Sequence, residues 1–177
     1  MPGLLGLAGA EVHCRMIAIT VYGTPGPQGS KRYVGSKNGG RGIMIESSKK
    51  VKPWREAVRG EAVLARQALG ETALERAPLD EPLFLRMVFT VARPRGHYRT
   101  GKNAHLLRDG APARPSGTPD LSKLARSTED ALTEAGIWRD DARVVEYLRL
   151  AKVYANEDPD ALDAPGVKIE VRTREEI

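Results

Sequence analysis

Two amphipathic segments, each enclosed by β-rich runs, constrain the fold of this 177-residue chain more than any other feature. Residues 54–69 and 118–135 carry apolar side chains every three or four positions, which predicts two helices. Runs rich in β-branched and aromatic residues predict four strands, over residues 16–22, 82–91, 142–155 and 166–172. The order of the elements is therefore β-α-β-α-β-β.

This order predicts an α+β fold, in which one domain has a mixed four-stranded sheet packed by two helices. The connection between the last two strands is short, so these strands are expected to form an antiparallel pair. The chain length fits a single domain over residues 16–177. Residues 1–15 match no periodic pattern and precede a second methionine, Met16, so they are expected to be a disordered extension or a mis-assigned start.

The cysteine content and the apolar runs exclude several classes of protein. Cys14 is the one cysteine, which excludes an internal disulfide framework and argues against a cysteine-based zinc site. No apolar run approaches the roughly 18 residues of a membrane span. The apolar start lacks the basic residues of a secretory signal. We therefore expect a cytoplasmic protein that does not associate with membranes.

The basic residues are concentrated in two segments that are also rich in glycine, proline or serine. The net charge is +5, and residues 31–55 contain eight Lys or Arg with one acidic residue, while residues 93–114 contain six with one. Such loops suit a nucleic-acid backbone, because Lys and Arg neutralise phosphates and release counterions. Solubilising surface charge, or a protein or RNA partner, is the alternative. The candidate DNA-binding residues are Lys31, Arg32, Lys49, Lys50, Lys52, Arg95, Arg99 and Lys102, together with Lys123 on the second predicted helix.

The second predicted helix carries a polar stripe beside its apolar one. The polar stripe consists of Ser122, Arg126, Glu129 and Thr133. Residues seven apart on a helix are offset by only about 20°. Ser122 and Glu129 therefore share a face, with Arg126 between them.

Acidic residues stand at both ends of this helix. Asp120 precedes it, and Asp140 and Asp141 lie in the turn before the next strand. A helix-turn-strand unit can bring its two ends to one sheet edge, where a hard cation such as Mg²⁺ offsets the repulsion between carboxylates. Such an ion activates water for phosphodiester cleavage. A carboxylate cluster flanked by basic loops therefore predicts a metal-dependent nuclease.

Each acidic residue also has a purely structural interpretation. Asp120 at a helix start would stabilise the helix dipole, and Asp140 with Asp141 would be a common turn pair. Glu129 with Arg126 would form a surface ion pair. Residue types and spacing alone leave these alternatives open.

In combination, the residues of this window resemble a known family. Residues 119–124 are Pro-Asp-Leu-Ser-Lys-Leu, residues 130–132 are Asp-Ala-Leu, and residues 136–145 are Gly-Ile-Trp-Arg-Asp-Asp-Ala-Arg-Val-Val. They are similar to the signature of the RusA family of Holliday junction resolvases, approximately Pro-Asp-x-Asp-Asn-Leu-x-Lys, Asp-Ala-Leu and Trp-x-Asp-Asp-x-Gln-Val. The resemblance extends more loosely over residues 16–172, including the turn at residues 25–31.

The resemblance implies a small homodimeric endonuclease that nicks two opposing strands of a four-way DNA junction symmetrically, in DNA recombination and repair. It implies a requirement for Mg²⁺ or Mn²⁺ and no organic cofactor. Asp120 matches the first catalytic aspartate of the family, Asp141 matches the aspartate of the Asp-Asp pair, and Asp140 is its neighbour. Arg126 stands where the family usually has a catalytically important lysine, so the positive charge is kept.

One position departs from the family pattern. The second catalytic aspartate of the family is Ser122 here, and a hydroxyl is a poor substitute for an anionic Mg²⁺ ligand. Glu129 lies two turns along the same face, where the family typically has an aliphatic residue, and we hypothesise that it supplies the missing charge. The alternative is a catalytically impaired protein that still binds junction DNA. The expected catalytic residues are then Asp120, Arg126, Glu129 and Asp141, and the expected metal ligands are Asp120, Glu129, Asp140 and Asp141.

Overall fold

The computed structural model describes residues 15–29, 31–33, 44–46, 49–70 and 77–173, except for the side chains of residues 31–33 and 44–46. The predicted extension at residues 1–15 lies outside this part of the chain, apart from Arg15. The Arg15 N–H donates to Thr173 Oγ1 at 3.1 Å, and its carbonyl accepts from the Thr173 N–H at 3.1 Å. Within the described residues, no helix is long and apolar enough to cross a membrane.

The described elements follow the predicted order. They are β1 (Met16–Tyr22), β2 (Lys31–Tyr33), β3 (Met44–Glu46), α1 (Val51–Gln67), β4 (Leu83–Val91), α2 (Leu121–Glu134), β5 (Val144–Tyr154) and β6 (Gly166–Arg172). For these residues the α+β fold with a mixed four-stranded sheet and two helices is confirmed. The sequence pattern missed β2 and β3, which pair as an antiparallel hairpin within the first basic segment, because three residues are too few for a recognisable alternation.

The four-stranded sheet has the order β1-β6-β4-β5. β6 is antiparallel to both β1 and β4, and β4 is parallel to β5. The expectation that β5 and β6 pair directly is wrong, because β4 lies between them. The connector at residues 155–165 crosses the sheet, where the Leu162 N–H donates to Thr90 Oγ1 at 2.9 Å. It spans two interstrand spacings, about 10 Å, which a connection of this length covers without difficulty.

A bulge in β5 changes the side of the sheet on which its residues lie. The pairing with β4 shifts by one residue between Tyr147 and Arg149, so Leu148 is an extra residue in this strand. The strict alternation predicted from the sequence puts Tyr147 and Lys152 on opposite faces. Because of the bulge, both side chains contact the α2 side of the sheet.

Both helices pack on one face of the sheet and close the core. Trp54 of α1 is buried; its ring centroid lies 6.4 Å from that of Phe89, and its indole N–H donates to Thr128 Oγ1 of α2 at 3.1 Å. This bond links the two helices inside the core. The predicted apolar stripe of α2 is confirmed, since Leu124, Thr128, Leu132 and Ala135 are buried and Leu121 packs against them.

α2 ends within one residue of the predicted boundary at residue 135, and Gly136 follows its C-cap residue Ala135. Gly136 has a φ of 71°, and the Ile137 N–H donates to Leu132 O at 3.1 Å, which satisfies one of the last helical carbonyls. A Cβ atom at Gly136 would lie 2.4 Å from the guanidinium of Arg66. The left-handed φ favours glycine at this position, and the turn that Gly136 makes directs the chain towards β5.

Candidate functional site

The start of α2 carries the first expected site residue. Asp120 is the N-cap residue with extended backbone angles (φ −67°, ψ 134°), so it lies outside the regular helix. Lys123 Nζ lies 2.8 Å from Asp120 Oδ2, and the Asp120 side chain is 51% exposed. The ammonium of Lys123, assisted by Lys152, lowers the pKa of Asp120 below its ordinary value. The charge of this carboxylate is therefore neutralised within the protein.

Lys152 of β5 fixes the segment that leads into α2. Its ammonium donates to Pro119 O at 2.7 Å and also to Gly117 O. These carbonyls lie on either side of the cis peptide bond between Thr118 and Pro119. The end of β5 thus holds the start of α2.

The turn at residues 24–28 docks on the same end of α2. The Gln28 N–H donates to Lys123 O at 3.0 Å, and Ser127 Oγ donates to Gly26 O at 2.6 Å. A Cβ atom on Gly26 would lie 2.3 Å from Lys50 O, so only glycine permits this approach. The turn therefore brings the start of α1, with Lys50, against the start of α2.

The middle of α2 carries a half-buried carboxylate. Tyr147 Oη of β5 donates a hydrogen bond to Glu129 Oε1. Burial raises the pKa of Glu129, the hydrogen bond from Tyr147 opposes this, and the charges of Asp141 and Asp130 raise the pKa further. The charge of Arg126, which is exposed one turn earlier, lowers it. Glu129 is therefore a poorly solvated acid whose ionised form a cation would stabilise.

Asp141 interacts electrostatically with this carboxylate. It is exposed in the three-residue 3₁₀ turn before β5, and its charge raises the pKa of both Glu129 and Tyr147. Asp140 accepts a hydrogen bond from the Ala142 N–H through Oδ1 at 2.8 Å. One oxygen of Asp140 is thus used to hold the turn that carries Asp141.

The expected metal ligands are divided between two places. Glu129 and Asp141 interact electrostatically, whereas Asp120 lies about 13 Å from Glu129 along the axis of α2 and pairs with Lys123. Among the described residues, no three Asp, Glu, His or Cys side chains are close enough to hold one metal ion. Glu129 and Asp141 have the oxygen donors that a hard cation takes, and Mg²⁺ commonly binds one or two carboxylates and completes its shell with waters and substrate phosphates.

Most of the expected DNA-binding residues lie on the surface. Lys31 and Arg32 begin β2, but their side chains fall outside the described part of the chain. Lys123 is engaged by Asp120. The exposed candidates are Lys49, Lys50, Lys52, Arg95 and Lys102.

The second basic segment uses several of its arginines to fold itself. Arg99 pairs with Asp109 at 2.8 Å and donates to Leu107 O at 3.1 Å. Arg93 pairs with Glu157 in the connector before β6. Counting charges in the sequence therefore overestimates the positive charge that this segment offers to a ligand.

Two residues that were not anticipated from the sequence, Tyr147 and Lys152, interact with the candidate residues. Tyr147 contacts Glu129, and Lys152 acts on Asp120. An aromatic residue directly after a charged one, Glu146, on an amphipathic strand is the signal that could have drawn attention to Tyr147.

The sequence matches the family model described as Endodeoxyribonuclease RusA over residues 23–172. The matched region includes α2, β5 and every candidate catalytic residue. No curated protein matches the chain at a significant level.

Proposed function

Because the chain belongs to the RusA endodeoxyribonuclease family, we propose that it is a metal-dependent, structure-selective endonuclease that resolves four-way DNA junctions by paired symmetric nicks, in recombination and repair. The observation that carries the proposal is the family match, which includes the whole helix-turn-strand unit formed by α2 and β5. The electrostatics of this unit support the same reaction class.

Glu129 and Asp141 are the residues that would hold a divalent cation, Mg²⁺ or Mn²⁺. When bound, such an ion lowers the pKa of water and offsets the charge of the phosphate. Tyr147 holds the Glu129 carboxylate in one orientation through its hydrogen bond. Asp140 holds the turn that carries Asp141 through its hydrogen bond with the Ala142 N–H. The protein thus prepares both carboxylates before metal and substrate bind.

Arg126 supplies positive charge on the exposed face of α2, one turn before Glu129. A guanidinium can donate two parallel hydrogen bonds to the non-bridging oxygens of a phosphate. We assign it to stabilising the charge that develops on the scissile phosphate.

The lysines near the starts of both helices provide the DNA-binding surface. Lys49, Lys50 and Lys52 are exposed at the start of α1, and Lys123 lies at the start of α2. Phosphate contacts of this kind fix the position of the backbone without reading its sequence. They would place a strand along α2, with its scissile phosphate towards Glu129.

The substrate favours a homodimer. A four-way junction has approximate two-fold symmetry, so symmetric incision requires two identical active sites related by the same symmetry.

A catalytically impaired junction-binding protein is the second candidate. Two observations favour it: Ser122 offers no negative charge, and Lys123 neutralises Asp120. Lys49, Lys50 and Lys52 are exposed at the start of α1 and do not depend on Ser122 or on the Asp120–Lys123 pair, so DNA affinity would survive the loss of chemistry.

Incubation with an end-labelled mobile four-way junction tests the proposal, in Mg²⁺, in Mn²⁺ and in chelator. We expect paired nicks at symmetric positions in both metals and none in chelator. Junction-selective binding without cleavage would favour the second candidate. Equal affinity for the junction and for linear duplex at several salt concentrations would contradict both, because shape selectivity persists when screening weakens phosphate contacts.

A further inference from the structure

A cleft of about 260 Å³ opens beside the start of α2. The cis peptide bond between Thr118 and Pro119, which leads to Asp120, forms part of its wall. The cleft is therefore adjacent to the neutralised carboxylate and lies apart from Glu129. Rigid rings dominate its lining, namely those of Pro25, Pro94, Pro115, Pro119, Pro165 and Tyr154.

The walls of the cleft are preformed. The pyrrolidine ring of each proline fixes its own φ, so these segments have little freedom to collapse inward. The guanidinium carbon of Arg93 lies 3.9 Å from the Tyr154 ring centroid, and His97 meets the ring edge with a centroid distance of 5.9 Å. Arg93 is anchored in turn by Glu157 and by Pro112 O at 2.9 Å. The space is thus maintained by the fold.

The charge around the cleft identifies the chemistry of its occupant. Lys50 lines the cleft and is exposed, and Lys123 and Lys152 lie beside the adjoining Asp120. An apolar slot with the exposed ammonium of Lys50 in its lining, and with two further lysines close to the adjoining Asp120, suits a flat ring that is attached to a phosphate. A nucleobase has this combination, because its faces stack on rings while its backbone phosphates stay with the lysines.

We propose that the cleft receives one unstacked base from the DNA strand that passes the start of α2. This inference rests on the proposed function, because the base comes from the branched substrate. Base stacking is interrupted at a branch point, so a base there costs less to extrude than one within a duplex. A base captured beside the start of α2 would fix the register of the strand relative to Glu129, which lies more than two turns further along the helix.

The test uses four-way junctions that carry the fluorescent base 2-aminopurine at each position flanking the branch point, bound to the full chain in chelator so that no cleavage occurs. We expect a several-fold rise in fluorescence at one position, as the probe leaves the stack. Ala92 is exposed and lines the cleft, so Ala92→Trp fills it. This variant should abolish the rise while junction affinity stays within about threefold, because the phosphate contacts remain.

Ala104→Trp is the matched control, because Ala104 is exposed in the same basic segment but does not line the cleft. It should preserve the rise. Ala92→Phe, a smaller replacement, should weaken the rise and guards against misfolding of the tryptophan variant. Tight junction-selective binding without a rise at any position, or a rise that survives Ala92→Trp, would overturn the inference and leave the proposed function standing. Loss of junction selectivity in the unmodified protein would overturn both.

Discussion

The two acidic places on α2 differ in solvation and in charge. At the start of the helix, Asp120 is half exposed and Lys123 lowers its pKa. In the middle, Glu129 is half-buried beneath Tyr147 and burial raises its pKa. In the proposed function these identical functional groups have different tasks: Asp120 positions a lysine that binds DNA, and Glu129 holds a cation. Burial and neighbouring groups, more than residue type, decide which carboxylate is suited to chemistry.

Replacing Glu129 with Gln should have the largest effect. The amide keeps an acceptor for the Tyr147 hydroxyl but loses the negative charge, so junction cleavage should fall by about 10²- to 10³-fold. Stability should not fall with it, because the folded protein pays for ionising an acid whose pKa is raised, and this cost is present above that pKa. Single-turnover cleavage and urea unfolding measure the two quantities.

Glu146→Gln is the control for this variant, since Glu146 is an exposed carboxylate on the same strand as Tyr147. It should cleave at the rate of the unmodified protein. Full activity in Glu129→Gln would refute the assignment of the middle of α2 to chemistry.

Tyr147→Phe should have the next largest effect on cleavage, and it changes how cleavage depends on pH. The hydroxyl lowers the pKa of Glu129, so its removal raises that pKa further. The carboxylate is then protonated at higher pH, and the acid limb of the pH–rate profile should move to higher pH. At neutral pH, cleavage and Mn²⁺ affinity should each fall by about 10-fold, which is typical when a group that orients a ligand is lost.

The cleavage rate of both proteins, measured over about pH 5 to 9, gives the position of the acid limb. An unchanged acid limb would show that the hydrogen bond from Tyr147 does not tune Glu129.

The double variant Lys49→Gln, Lys50→Gln tests the proposal that the exposed lysines at the start of α1 bind DNA phosphates. Loss of two phosphate contacts should reduce the slope of log affinity against log salt by about 1.8. The single-turnover rate at saturating protein should stay unchanged, because neither lysine contacts the middle of α2. Lys168→Gln is the control, since Lys168 lies on β6 and pairs with Thr20 and Val88 in the interior of the sheet. A lower saturating rate in the double variant would contradict the separation of binding from chemistry.

Asp120→Asn should have the smallest effect on cleavage, less than about fivefold, because an exposed ion pair is worth at most about 1 kcal/mol. Junction affinity should rise slightly, since Lys123 is released to bind phosphate. A loss as large as that of Glu129→Gln would contradict this division, because the start and the middle of α2 would then act as one site on DNA. Cleavage and binding of the same junction distinguish these outcomes.

The sequence predicts the local structure of this site well. Periodicity places the apolar stripe of α2, and Gly136 marks the end of the helix, because both depend on residues close together in the chain. The family signature identifies Asp141, and the shared face with Ser122 suggests Glu129. The electrostatic interaction between Asp141 and Glu129 is consistent with a role for both in one site.

The relations between elements could not be predicted in the same way. The position of β6 between β1 and β4 depends on which apolar faces pack together, and a short connector does not determine it. The extra residue Leu148 reverses the alternation of β5, so the pattern could not place Tyr147 near Glu129. The pairing of Lys123 with Asp120 depends on side-chain conformations that spacing does not fix.

The shared face of Ser122 and Glu129 has a consequence for how such a chain can change over generations. A helix repeats regularly, so a carboxylate that is absent at Ser122 can stand at Glu129, two turns further along the same face, without any movement of the backbone. β5 supplies a neighbour at both places, with Lys152 near the start of α2 and Tyr147 near its middle. In the proposed function, the carboxylate that Ser122 lacks is therefore supplied two turns along α2, and the fold that carries the site does not change.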